Sequence, residues 1–111
     1  MDNDIRKLLV DALICINSIE DYLRGVRRFE EYDNNPLLQD AVERNLITIG
    51  EVVNLILKAE PGIEISNARR IVDMRNRLTH AYDAVENVMV WTILIRHLPI
   101  LKQEIETIME A

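Results

Sequence analysis

The sequence is short of the residues that force chain reversals and of those that do chemistry with sulfur. Its 111 residues include 3 Gly, 3 Pro and one Cys, and only 5% are aromatic. Few Gly and Pro mean few obligatory turns, which disfavours a sandwich of short strands and favours long helices. A lone Cys15 excludes an internal disulfide and fits a reducing compartment. With no basic residue at helical spacing beside it, Cys15 reads as a small core hydrophobe rather than a catalytic thiol. Positive charge is also in deficit. Thirteen Lys and Arg against nineteen Asp and Glu leave a net charge of −6. Such a surface repels nucleic acid on average, so any polyanion must be met by a local basic patch. No apolar run approaches the ~20 residues of a membrane span. The start, "MDNDIRKLL", lacks the pattern of a signal peptide. A cytoplasmic protein with no membrane partner is expected.

What is abundant is aliphatic: hydrophobic residues make up 49%. They recur at helical spacing. Ile5, Leu8, Leu9, Ala12, Ile16, Ile19, Leu23 and Val26 predict a first helix from about Asp4 to Tyr32, with Gly25 tolerated inside it at a cost of ~1 kcal/mol. "YDNNP" ends it. Asn35 can cap a second helix from Pro36 to about Ala59, with Pro36 in its first turn. "EPG" stops that helix. Ser66 is a plausible cap for a third, from Asn67 to about Leu78 or His80. "HAYDAVE" reads as a break, and Asp83 and Glu86 have capping-box spacing. A fourth helix should start near Ala84 and be kinked or split by Pro99. The expectation is one all-α domain over residues 1–111, an antiparallel four-helix bundle. The second and fourth helices carry more apolar surface than one bundle face needs. A homodimer that buries the surplus is the simplest explanation.

Site chemistry narrows by elimination. His80 and His97 are the only histidines, with no paired-His spacing and no cysteine cluster, so a zinc site is not expected. The glycines form no phosphate-cradling loop, and no cofactor is called for. What remains is a basic run: Arg69, Arg70, Arg75 and Arg77, then His80, with Asp73 the one acid between Arg69 and Asp83. Charge alone favours a plain explanation, in which Arg and His in a last helical turn complement the helix dipole by ~0.3–1 kcal/mol each. The sharper one is a phosphate site. Metal-free RNA cleavage needs a group to take the 2′-OH proton, an acid for the leaving 5′-oxygen, and positive charge at the phosphorus. Histidine suits proton transfer, with an ordinary pKa of about 6.5. Arginine's planar fork suits phosphate oxygens. Five residues separate Arg75 from His80, roughly 140° on an ideal helix. They converge if the helix unwinds before His80, if Arg75 reaches round, or if a two-fold axis brings two copies together.

Arg75-Asn76-x-x-x-His80-x-Tyr82 resembles the R-x4-H-x-Y motif of HEPN-domain proteins, and more narrowly of HepT, the toxin of HepT–MntA toxin–antitoxin systems. "AVERNLITIGEVVNLI", "MRNRLTHAYDAVENVMVWTI" and "LPILKQEI" are similar to the same family, so the resemblance covers nearly the whole chain. "GIEIS", before the third helix, departs from it where an aromatic residue is common. The resemblance implies a homodimeric helical bundle and a metal-independent endoribonuclease with Arg75 and His80 catalytic and Asn76 supporting. Arg69, Arg70 and Arg77 would be RNA phosphate contacts. It also implies that Tyr82 is modified with AMP by a partner nucleotidyltransferase antitoxin of the MNT type. The added phosphate would repel RNA. Two other functions compete: a non-catalytic dimer that serves as docking partner or substrate of that nucleotidyltransferase, and a purely structural bundle.

Overall fold

The computed structural model describes residues 2–80 and 85–110, and every described element is helical. Helix α1 spans Asn3–Tyr22; the Asp2 carboxylate accepts the Asp4 N–H at 2.7 Å and so caps it. The first helix stops ten residues before its expected end. Gly25 adopts φ of +84°, a left-handed conformation that ends a helix, and a glycine there costs least. A short helix α2, Phe29–Asp33, replaces the expected continuation. Its entry is fixed by Glu31, whose Oε1 accepts the N–H groups of Arg27 and Arg28.

Helix α3, Pro36–Ala59, has the expected bounds. Asn35 Oδ1 accepts the Leu38 N–H at 3.1 Å, and Pro36 occupies the first turn. Helix α4 spans Ala68–His80. Ser66 does not cap it: the Ser66 N–H and hydroxyl both donate to the Glu104 carboxylate, tying the start of α4 to the last helix. The expected pairing of Asp83 with Glu86 falls partly outside the described residues. Beyond them, α5 (Asn87–Thr92) runs into a π-helical turn, Ile93–His97, and then into α6, Leu98–Glu110. The last helical region is thus joined from pieces, as expected. The irregularity lies just ahead of Pro99 rather than at it. A proline ring clashes with the carbonyl four residues back; here that residue is Ile95, inside the π turn, where the Leu98 N–H reaches back to the Ile93 carbonyl.

The core joins all these elements. Leu9, Ile16 and Ile19 of α1 meet Val42, Ile49, Val53 and Ile56 of α3; Ile71 and Val72 of α4, and Leu101 and Ile105 of α6, complete it. Helix α3 is the central element, in broad contact with both α1 and α4. Cys15 is half-buried against this core, as a small hydrophobe should be, and burial pushes its thiol pKa up. An aromatic cluster holds α2 to α5: Trp91 lies 5.8 Å from the fully buried Tyr32 and 6.3 Å from Phe29. Among the described residues, no helix is long and apolar enough to cross a membrane.

Candidate nucleic-acid site on helix α4

Helix α4 has two distinct faces, and its sequence determines both. At 100° per residue, Ala68, Ile71, Val72 and Arg75 fall on one side, while Arg70, Asp73, Met74 and Arg77 fall on the other. Ala68, Ile71 and Val72 are buried, so Arg75 sits on the stripe that packs against α3. Its neighbour there is Gly50. A Cβ placed on Gly50 would overlap the Arg75 Cβ, and would come within 2.8 Å of its Cγ and 3.3 Å of the Ile71 carbonyl oxygen. The missing side chain in α3 is what admits the Arg75 stem. Arg75 is half-buried, and its Nε is buried without a hydrogen-bond partner. A buried donor left unpaired costs ~1–3 kcal/mol or more when charged. Such a defect in a native fold calls for an explanation, and a functional role is one.

His80 ends α4 and is exposed. The helix stays intact through His80 and does not unwind before it. Within the chain, Arg75 and His80 therefore occupy different sectors of the helix. Asn76 is half-buried between them. The Thr79 hydroxyl donates to the Arg75 carbonyl at 3.0 Å and reaches the Asn76 carbonyl at 3.3 Å, which firms the backbone of the motif's last turn. Tyr82 lies outside the described residues.

The opposite face of α4 borders a cleft of about 600 Å³. Arg69, Arg70 and Arg77 line it, with Asp73 and Met74; Met89 and Thr92 of α5, with Ile93 and His97 of the π turn, form the far wall. The ion pairs formed among the described residues are Arg24–Asp21, Arg28–Glu31 and Lys102–Glu20. None involves an arginine of α4, so the cleft keeps its positive charge. His97 is half-buried, and its Nδ1 is buried without a partner. Burial first, then the neighbouring Arg70 and Arg96 charges, hold its pKa below the ordinary value. The imidazole is therefore neutral at pH 7. Among the described residues, no group of three or more His, Cys, Asp or Glu side chains could hold a metal ion.

The structure thus gathers Arg69, Arg70 and Arg77 at one cleft, with His80 one turn beyond Arg77, and sets Arg75 apart. Sequence reasoning passed over Gly50 and His97. A glycine in mid-helix with no turn signal around it was the available sign of the first. The second was a polar residue in a nearly continuous apolar segment.

The family model described as Ribonuclease HepT-like matches residues 12–108. The chain belongs to the HepT-like ribonuclease family. Two Methanocaldococcus jannaschii proteins, each provisionally named an RNase, are 32% identical to this HepT-like chain over 111 residues; each alignment covers 96% of it, and 88% and 92% of the two relatives. A third RNase-named protein of that organism is 27% identical over 109 residues, or 95% of this chain and 96% of its own. No solved structure matches the chain. In this HepT-like chain, α4 carries both Arg75 and His80.

Proposed function

We propose that this protein is a metal-independent endoribonuclease, the toxin of a toxin–antitoxin pair, and that Arg75 and His80 are its catalytic residues. The observation that carries the reading is the half-buried Arg75, seated against Gly50 with an unpaired Nε, five residues from an exposed His80 in a HepT-like chain. The 2′-oxygen of RNA attacks the adjacent phosphorus, and the bond from phosphorus to the 5′-oxygen breaks. The 2′-OH proton goes to a base and a proton is delivered to the leaving 5′-oxygen; His80 performs one of these transfers. Arg75 stabilises the charge that builds on the phosphoryl oxygens, with Asn76 in support. The products are a 2′,3′-cyclic phosphate and a 5′-hydroxyl.

A homodimer fits this chemistry. Arg75 and His80 point to different sectors of an unbroken helix, so two copies of α4 around a two-fold axis supply a shared cleft more readily than one copy does. Val10 and Ile14 of α1, Leu55 of α3 and Ile95 of the π turn are exposed apolar side chains available for burial between protomers. Tyr82, two residues past His80 in the sequence, is the site at which a nucleotidyltransferase antitoxin adds AMP, and the added negative charge repels RNA phosphate. The second reading, a non-catalytic dimer recognised by that enzyme, is favoured by the net charge of −6. The two separate on activity. Arg75→Ala and His80→Ala should each lower RNA cleavage at least ~100-fold while folding normally. Full activity in both variants would remove these residues from the mechanism; an inert wild type that accepts AMP on Tyr82 would establish the docking role.

A further inference from the structure

The cleft between α4 and the α5–π segment lies outside the Arg75–His80 pair, and its lining is chemically mixed. Its positive side is Arg70 and Arg77, two turns apart on one face of α4. Its floor is apolar: Met74 and Met89 are flexible, polarizable side chains that adapt to flat aromatic surfaces. His97 adds a neutral aromatic ring to the far wall. The π turn brings Ile93 and His97 to the same wall. Such turns occur often at functional sites, because they interrupt a regular helix at a cost. A volume of about 600 Å³ falls within the roughly 300–1,000 Å³ of small-ligand pockets. Unpaired arginines beside an apolar and aromatic surface are the pattern by which proteins hold unpaired nucleotides, phosphate on the cations and base on the flat surface.

We propose that this cleft seats one unpaired nucleotide of the RNA strand next to the cleaved bond, its phosphate at Arg70 and its base against Met74, Met89 and His97. The assignment rests on the ribonuclease reading and supplies what that reading lacks, a place for substrate outside the reacting atoms. A strand following α4 passes from Arg70 to Arg77, about 10.5 Å along the axis, and meets His80 about 4.5 Å farther on. Asp73 lies between the two arginines on the same face, and disfavours a bare anion there more than it disfavours a nucleotide whose base carries part of the binding.

Methionine methyl resonances test this directly, because Met74 and Met89 line the cleft while Met109 lies at the far end of α6. The intact protein is titrated with inorganic phosphate, with uridine 5′-monophosphate, and with a 2′-O-methyl RNA hexamer that lacks the attacking hydroxyl. The hexamer should shift Met74 and Met89 saturably and leave Met109 in place. It should bind at least ~10-fold more tightly than the mononucleotide, and phosphate alone should leave the methyls unmoved. Arg70→Glu should weaken the hexamer at least ~10-fold, whereas Arg6→Glu, the same charge change on α1, should have a far smaller effect. Hexamer binding without shifts at Met74 and Met89 overturns the placement. So does equal affinity for mononucleotide and hexamer, which marks a free-nucleotide pocket, and so does an equal loss in the two variants. Wild-type cleavage of unmodified RNA is scored separately. Cleavage without cleft binding overturns this inference alone, and cleft binding without cleavage overturns the ribonuclease reading alone.

Discussion

At the scale of single residues, the candidate site depends on how an arginine is held in a helix interface. Arg75 occupies a position where a bundle ordinarily places Leu or Ile, and Gly50 makes the room. Gly50→Ala puts a methyl group into the Arg75 stem. The gain in helix propensity, ~1 kcal/mol, is outweighed by the ~1–3 kcal/mol of overpacking. Urea unfolding should show a net loss of stability, and RNA cleavage should fall with it as α4 moves away. A variant more stable than wild type would contradict the close approach. His97 gives a second test. Its folded-state pKa lies below the ordinary 6.5, so the unfolded chain takes up the proton first. The stability that neutral His97 contributes is complete above about pH 6.5 and is lost as pH falls from there through the depressed folded value. His97→Gln should flatten the fall in unfolding free energy between about pH 6.5 and 5; an unchanged slope would remove His97 as its source. The Arg75–His80 pair was legible in the sequence as a candidate, because its residue types and spacing lie along one chain segment. Gly50 was not legible as its support, because that role depends on which helices cross and where.

At the scale of elements, helix starts and stops were readable where a local side-chain device sets them. Asn35 and Pro36 open α3 as their chemistry requires. The misreadings have equally local causes. The apolar spacing of Leu23 and Val26 continues the α1 stripe, so periodicity concealed the break that Gly25 makes with its positive φ. Ser66 has the chemistry of a cap, yet Glu104, distant in sequence, takes its hydrogen bonds. Pro99 signalled a disturbance correctly, but a turn of wider winding absorbs it one step earlier. Gly25→Ala and Gly62→Ala form an informative pair. Neither site has an atom within 4 Å of an added Cβ, and only Gly25 has a positive φ. Gly25→Ala should cost ~1–2 kcal/mol, while Gly62→Ala should gain ~0.4–1 kcal/mol through the unfolded state. Chemical denaturation of both variants checks the sign difference, and matching signs would refute the conformational argument.

At the scale of the whole molecule, an acidic protein is asked to act on a polyanion. The contradiction resolves if charge is segregated. The arginines of α4 that line the cleft are free of ion pairs among the described residues, while the pairs at Arg24, Arg28 and Lys102 neutralise positive charge elsewhere. The shape is a slab, 42 × 32 × 19 Å, about two helix diameters thick. Each long helix therefore keeps a face toward the outside, and the exposed Ile14 and Leu55 show that some of that surface is apolar. This leaves the cleft side of α4 open to the outside and leaves apolar side chains uncovered. The most direct test of the central claim is the chemistry of the cut ends. Wild-type protein is incubated with single-stranded RNA in EDTA, and the termini of the fragments are identified. Attack by the 2′-oxygen predicts 2′,3′-cyclic phosphate and 5′-hydroxyl ends, absent when His80→Ala replaces the wild type. Fragments ending in 5′-phosphate, or the same cyclic ends from His80→Ala, would contradict it.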